Sequence, residues 1–328
     1  LTPLKEYNEA QSLGNFYTGA ISLLGYRRFD EYKVMGLAPY GDPNVYREMF
    51  AQFYTLLPDG DFAFIPPGAQ LSLAGRYGLL NHVRRKGQPF TQVHKDLAAG
   101  IQHTLERLAF HVLRHFRKST GEKNLCLSGG VAHNCTLNGK VLYANLFEQM
   151  FVQPAAHDAG NALGAALVTS REEGVTLKPK KMLHVYWGTN TDDEAWIQQQ
   201  VTVWRSFIKA ERLGNIASRT AELLAEGAVI GWVQGRSEFG PRALGNRSIL
   251  ADPRPPHYKQ LINEMVKKRE GYRPFAPSVL EERLQEYFDA PERCREFPFM
   301  IFVLRVREEK REILGAVTHV DGTARVQT

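Results

Sequence analysis

Between residues 92 and 118, Val93, Leu97, Ile101, Leu105, Leu108, Val112 and Phe116 recur every three or four positions. That spacing predicts a helix with one buried face, ending before Gly121. "NLCLS" then predicts a buried strand over 124–128, "GGVAHN" a tight loop, and "CTLNGKVLYANLF" a mostly helical stretch. The pattern repeats at once. "EQMFVQP" is strand-like, "AAHDAG" is a loop, and "NALGAALVTSREEG" is a small-residue helix closed by Gly174. Two successive strand, loop, helix units imply an α/β layer with both loops at one sheet edge. Upstream, 14–41 reads as a short helix and a turn-rich stretch in which Lys33 precedes "MGLAPYG".

The basic, aperiodic "VTLKPKK" near 175–182 reads as a linker, dividing the chain into 1–180 and 181–328. A second α/β pattern follows it. "MLHVYWG" is expected as a strand, "NIASRTAELLAEG" as a helix stopped by Gly227, and "AVIGWV" (228–233) as a strand. "PPHYKQLINEMVKK" is expected as a helix with prolines at its start, and "PFMIFVLRV" as a further strand.

Composition narrows the function only a little. The 328 residues are 43% hydrophobic and 23% charged, and 41 Lys and Arg against 35 Asp and Glu give a net charge of +6. That excess favours anionic ligands but is too small and dispersed for a nucleic-acid coat. Cys126, Cys135 and Cys294 have no pairing or metal-type spacing, which predicts free thiols in a reducing compartment. With no apolar run of membrane length and no basic-then-apolar leader pattern, the expectation is a cytoplasmic protein that does not enter a membrane.

The chemistry concentrates in three loops. "GRSEFGPRALGNRSILADPR" (235–254) carries four arginines among glycines and prolines. Exposed ion pairs contribute little stability, so such a cluster points to phosphate or carboxylate recognition by planar, always-charged forks. Arg236, Arg242 and Arg247 are joined by Lys267, Lys268 and Arg269 in "MVKKREGYRPFAPS". A strand and a helix between the two clusters allow the chain to return them to one cleft, with a polyphosphate such as ATP as the most economical partner. Arg325 adds a charge there or forms a strand-end ion pair. In "SGGVAHN", Ser128, Gly129 and Gly130 offer backbone N–H groups and a helix dipole to an anion. The loop is neither a Walker A sequence nor a dinucleotide fingerprint. In the other loop, Asp158 stands before Gly160, either as a ligand for a divalent cation on a nucleotide or as a helix N-cap. His111 and His115 read as boundary residues of the long helix, and His157 as pointing away from Asp158.

Taken in order, "EYKVMGLAPYG", "LSGGVAHNCTLNGKV", "QPAAHDAGNALGAAL", "GRSEFGPRALGNRSILADPR", "GYRPFAPSV" and "HVDGTARVQT" resemble the O-carbamoyltransferases of the nodulation-protein U and antibiotic-tailoring type. The resemblance covers nearly the whole chain. It implies a partial actin-like ATPase (ASKHA) domain followed by a YrdC-like α/β domain with a twisted mixed sheet. It also implies two steps: carbamoyl adenylate is made from ATP and carbamoyl phosphate with release of pyrophosphate, and the carbamoyl group then passes to a hydroxyl of a sugar, antibiotic or nodulation-factor-like acceptor.

On that resemblance, Arg242, Arg269 and Lys267 neutralise charge as phosphoryl oxygens crowd together. Arg236, Arg247 and Arg325 bind the phosphates with them. Ser128, Gly129, Gly130, Gly160 and Asn134 hold the adenylate, with Lys33 and Glu31 near the nucleotide cleft. Asp158 matches the family's metal-binding acid, for Fe(II) or Mg, which would polarise the carbamoyl carbonyl. The family's metal-binding histidines lie upstream of "KVMGLAPYG", where this chain has none, and the family runs on beyond "RVQT". The expectation is therefore a chain short of the first ASKHA lobe and of the C-terminal part, with weak or absent metal binding and no complete transfer reaction from this chain alone. The alternatives are a tRNA-modifying (threonyl)carbamoyl transferase relative and a non-catalytic ATP-binding regulatory module. The expected partner is a small acceptor with a free hydroxyl rather than a nucleic acid, with a homodimer as a possible assembly.

Overall fold

The computed structural model describes residues 2–85, 87–178 and 180–328. The first part is mainly helical: α1 (Leu13–Ile21), α2 (Glu31–Leu37), α3 (Arg47–Ala51), the hairpin β1 (Tyr54–Leu56) and β2 (Phe62–Phe64), α4 (Pro67–Arg76), and α5 (Gln92–Thr120). α5 is the expected helix. Its stripe of Leu97, Ile101, Leu105 and Leu108 packs into a core with Ile21, Leu24, Leu37, Met49 and Phe62, and it ends where Gly121 turns left-handed at φ 72°.

The repeated unit also forms. β3 (Asn124–Leu127) leads through the first glycine loop into α6 (Cys135–Tyr143), and β4 (Gln149–Val152) leads through the second loop into α7 (Gly160–Glu172). β3 and β4 pair in parallel, with Leu127 opposite Val152, so both loops leave the sheet at the same edge.

The rest comprises α8 (Glu194–Trp204), α9 (Ile216–Ala225), β5 (Ile230–Val233), β6 (Arg247–Leu250), α10 (His257–Leu261), α11 (Leu284–Tyr287), β7 (Phe288–Asp289), β8 (Val303–Val306) and β9 (Thr323–Arg325). Among the described residues the ladders here are antiparallel, β5 with β6 and the sheet β7–β8–β9, with a single parallel bridge between Ser278 and Gln327. One mixed sheet was expected. "MLHVYWG" forms no strand: Phe239 donates to the Val185 carbonyl and Gly188 to the Ser237 carbonyl, an irregular pairing rather than a ladder. The expected helix after Pro256 widens into a π-turn at Ile262–Val266. Of "PFMIFVLRV" only β8 is a strand, although Phe299, Met300, Ile301 and Phe302 before it are buried.

A second core joins residues from both sides of 180. Ala132, Leu142, Val152 and Ala156 pack with Phe288, Phe297, Ile301 and Leu304. At this seam the buried Asn138 donates to the carbonyls of Ala132 and Ile301, at 2.8 and 2.9 Å. The glycine loop on α6 is thereby pinned to the segment that carries β8 and, through it, β9.

Candidate anion-binding site

The arginine loop between β5 and β6 is shaped from within by Glu238. Its Oε1 accepts from the backbone N–H groups of Leu244, Asn246 and Arg247, at 2.7, 2.9 and 3.2 Å. Burial alone would raise the pKa of this carboxyl, but those donors outweigh it and hold it below its ordinary value. The turn presents Arg242, whose Nη2 donates to the His133 carbonyl at 3.4 Å. Loop 128–134 and the arginine loop therefore meet.

Arg242 opens onto a cavity of about 1070 Å³ that Lys267, Arg269, Arg273 and Arg325 also line. Tyr32 and Gly36 of α2 form part of its wall. Seven basic side chains line it in all and no Asp or Glu does, among the described residues. Arg254 is paired with Asp252, Arg283 with Glu286 and Arg273 with Glu270. Arg242, Lys267, Arg269 and Arg325 have no carboxylate within ion-pair distance among the described residues. Burial, then Arg273, pushes Arg269 down to about 10, and burial, then Arg242, pushes Arg325 below its usual value. Arg269 and Arg325, drawn out of water without carboxylate partners among the described residues, suit an anionic ligand.

The other expected phosphate ligands are engaged elsewhere. Arg236 donates to the carbonyls of Gly188 and Trp187. Arg247 donates to those of Gln234, Asn246, Thr189 and Gly235. Both pin the loop on which Arg242 sits, and neither lines the cavity. Lys33 bonds Asp30 at 2.7 Å and Glu270 at 3.5 Å, tying α2 to the segment of Arg269. Burial opposes its charge, but these partners raise its pKa. Lys268 does not line the cavity.

In the glycine loop, Ser128, Gly129 and Gly130 are exposed. Gly129, at φ 92°, gives its N–H to the Ala156 carbonyl at 2.8 Å, which binds this loop to the next. Gly130 opens a 3-10 turn, so its amide and that of Val131 precede any intrahelical acceptor and are the ones left for a ligand. Asn134 caps α6 through Leu137 and pairs with Gln102, so its amide serves the loop itself.

Asp158 is exposed, and its carboxylate has no hydrogen bond or ion pair among the described residues. The capping position of α7 falls on Ala159, with no side-chain cap, which removes the N-cap reading. Gly160 sits where a Cβ would lie 2.4 Å from the Ala155 carbonyl oxygen. For a divalent metal the donor set does not fit: no group of three or more His, Cys, Asp or Glu converges among the described residues, and His157 faces His133 rather than Asp158.

Sequence reasoning missed the pair His133 and His157, whose Nε2 and Nδ1 lie 3.0 Å apart. Burial, then Arg242 and His157, pushes His133 down to about 4, so it is neutral at neutral pH. The signal was available: each histidine sits in the loop after one of two strands that pair in parallel. His111 donates to the carbonyls of Leu57 and Asp61, in keeping with a boundary role. All three cysteines are free.

The family model for the carbamoyltransferase N-terminus matches residues 2–167, and that for the carbamoyltransferase C-terminus matches 221–328. The chain belongs to the carbamoyltransferase family. It is 57% identical over 329 residues to the nodulation protein NolO of Bradyrhizobium diazoefficiens, covering 100% of this chain and 59% of that protein. It is 58% identical over 330 residues to the nodulation protein NolNO of Sinorhizobium fredii, covering 99% of this chain and 47% of that protein. A 3'-hydroxymethylcephem-O-carbamoyltransferase of Amycolatopsis lactamdurans is 38% identical over 210 residues, covering 62% of this chain and 36% of that enzyme. The chain thus spans about half the length of these two nodulation proteins. No helix among its described residues is long and apolar enough to cross a membrane.

Proposed function

We propose that this chain is the part of an ATP-dependent O-carbamoyltransferase that binds ATP and carbamoyl phosphate and forms carbamoyl adenylate. The observation that carries the reading is the cavity lined by Arg242, Lys267, Arg269 and Arg325 and, among the described residues, by no carboxylate. The step balances with one water: water takes the phosphoryl group from carbamoyl phosphate, the carbamate oxygen attacks the α-phosphorus of ATP, and the α–β anhydride bond breaks to release pyrophosphate. Charge gathers on the phosphoryl oxygens as they crowd, and fixed guanidinium groups offset it without a protein nucleophile. The amides of Gly130 and Val131, which have no intrahelical acceptor, suit the adenylate phosphate. In this reading 1–180 is ASKHA-like and 181–328 YrdC-like, and the second step passes the carbamoyl group to the hydroxyl of a small acceptor.

The test is pyrophosphate release from ATP by the full-length protein, with and without carbamoyl phosphate and with no acceptor present. Release that depends on carbamoyl phosphate is the expected result. A folded protein that binds ATP yet releases no pyrophosphate would refute the adenylating role and leave a regulatory nucleotide-binding module.

A further inference from the structure

His133 presents a problem of hydrogen-bond accounting. The backbone N–H of His157 points at its Nε2, 3.2 Å away, and a backbone N–H can only donate. Nε2 of His133 is therefore a lone pair, and the proton of the neutral ring sits on Nδ1. The His157 ring faces the same lone pair with its own Nδ1 at 3.0 Å, so that nitrogen is protonated too. Two donors of one residue thus fix the tautomer of the other. The Nδ1–H of His133 that results is buried and has no acceptor among the described residues.

Two further donors nearby are in the same condition, Nε of Arg242 and Nε of Arg325. Arg242 donates to the His133 carbonyl at 3.4 Å and lines the cavity together with Arg325, so His133, which is not itself on the cavity lining, stands next to it through Arg242. Three neighbouring buried donors without an acceptor oppose folding unless an oxygen reaches them. We propose that His133 is a ligand-binding residue: a neutral imidazole, held in its Nδ1–H tautomer by His157, that donates to an oxygen of the anion bound by Arg242 and Arg325. This rests on the anion-site reading above and extends it to the loop after β3. A neutral donor beside two cations adds direction without adding charge, so the site can orient a phosphoryl or carbamoyl oxygen rather than merely attract it. His157 is then a positioning residue.

The test is long-range proton–nitrogen NMR on the ¹⁵N-histidine-labelled protein at neutral pH, with the His133 signals assigned by their loss in His133→Gln and inorganic phosphate as the probe. The expected result is a His133 protonated on Nδ1, whose Nδ1 resonance moves as phosphate binds. His157→Ala should mix the tautomers and weaken phosphate binding several-fold, while Arg242→Ala should remove the phosphate-dependent shift. If phosphate binds and Arg242→Ala weakens it, but His133 is protonated on Nε2 or its resonance does not move, this inference fails and the anion-site reading stands. If Arg242→Ala leaves phosphate binding unchanged, or phosphate does not bind, the anion-site reading fails and takes the role of His133 with it.

Discussion

Gln102 of α5 and Asn134 of the glycine loop meet amide to amide: Asn134 Nδ2 donates to Gln102 Oε1 at 2.9 Å, and Gln102 Nε2 donates to Asn134 Oδ1 at 3.1 Å. The pair continues inward. Tyr17 of α1 donates to the same Gln102 oxygen at 3.1 Å, and Gln102 Nε2 also reaches Glu106 at 2.8 Å, which Lys140 of α6 neutralises at 2.6 Å. A buried polar chain beneath a glycine-rich loop fixes the loop's position as well as its stability. Gln102→Leu keeps the bulk but strands the Tyr17 hydroxyl and the Asn134 amide. The expected loss is about 1–3 kcal/mol, read as a lower urea midpoint at unchanged slope, with weaker ATP binding. An unchanged midpoint would mean that water satisfies those groups and that the chain does not brace the loop.

Arg242 and Arg236 lie six residues apart in one loop, yet their surroundings assign them different work. Arg242 lines the cavity without a carboxylate partner among the described residues, and Arg236 spends its guanidinium on two backbone carbonyls. Hydrogen bonds to a charged ligand contribute about 1.5–3 kcal/mol each, so Arg242→Ala should weaken ATP binding by about one to two decades. Arg236→Ala should lower the unfolding midpoint more than it lowers ATP affinity. Calorimetric titration and thermal melts of both variants decide it; the reverse ranking would place the ligand against Arg236.

How much of this was legible in the chain depends on the range of the interaction. α5 was readable because one face of a long helix repeats its apolar residues, and the β3–α6 and β4–α7 units because strand, glycine and helix follow one another locally. "MLHVYWG" misled because its alternation matches a strand, whereas its partner 237–239 belongs to a loop bent around Glu238. The arginines were visible as a cluster, but not their division into cavity-lining and carbonyl-bound sets, which depends on where residues 187–191 pass. His133 and His157 are 24 residues apart and meet only because β3 and β4 pair in register.

Acid should unfold this protein earlier than its carboxylates alone would dictate. Above pH 6.5, the ordinary value for histidine, His133 is neutral in the folded and the unfolded chain and contributes no pH dependence. Between 6.5 and about 4 the unfolded chain takes up a proton that the folded chain refuses, so stability falls as pH falls through that window. Glu238 acts with the same sign lower down: its folded pKa lies below 4.5, and its stabilising contribution is lost as pH drops beneath that value. Urea midpoints at pH 7.5 and 5 should therefore differ, and His133→Gln should shrink the difference. Equal midpoints in the parent protein would contradict a neutral, half-buried His133.

Gly139 of α6 sits where a Cβ would lie 2.5 Å from the Val303 carbonyl oxygen and 2.6 Å from its Cγ2. β8 cannot easily yield, because β7 pairs with it on one side and β9 on the other, with Val303 opposite Arg325. Gly139→Ala should therefore push α6 away from the sheet, at a cost of about 1–3 kcal/mol for overpacking. The displacement runs both ways, into the glycine loop through Asn134 and into the cavity through Arg325. ATP affinity should fall along with the unfolding midpoint. Gly19, exposed in α1 with nothing within 4 Å of its missing Cβ, is the control. Gly19→Ala should stabilise by about 0.5–1 kcal/mol through helix propensity and leave ATP affinity unchanged. If Gly139→Ala destabilised the fold without touching ATP affinity, the seam between α6 and β8 would be structural support alone, and the two loops would reach the anion independently.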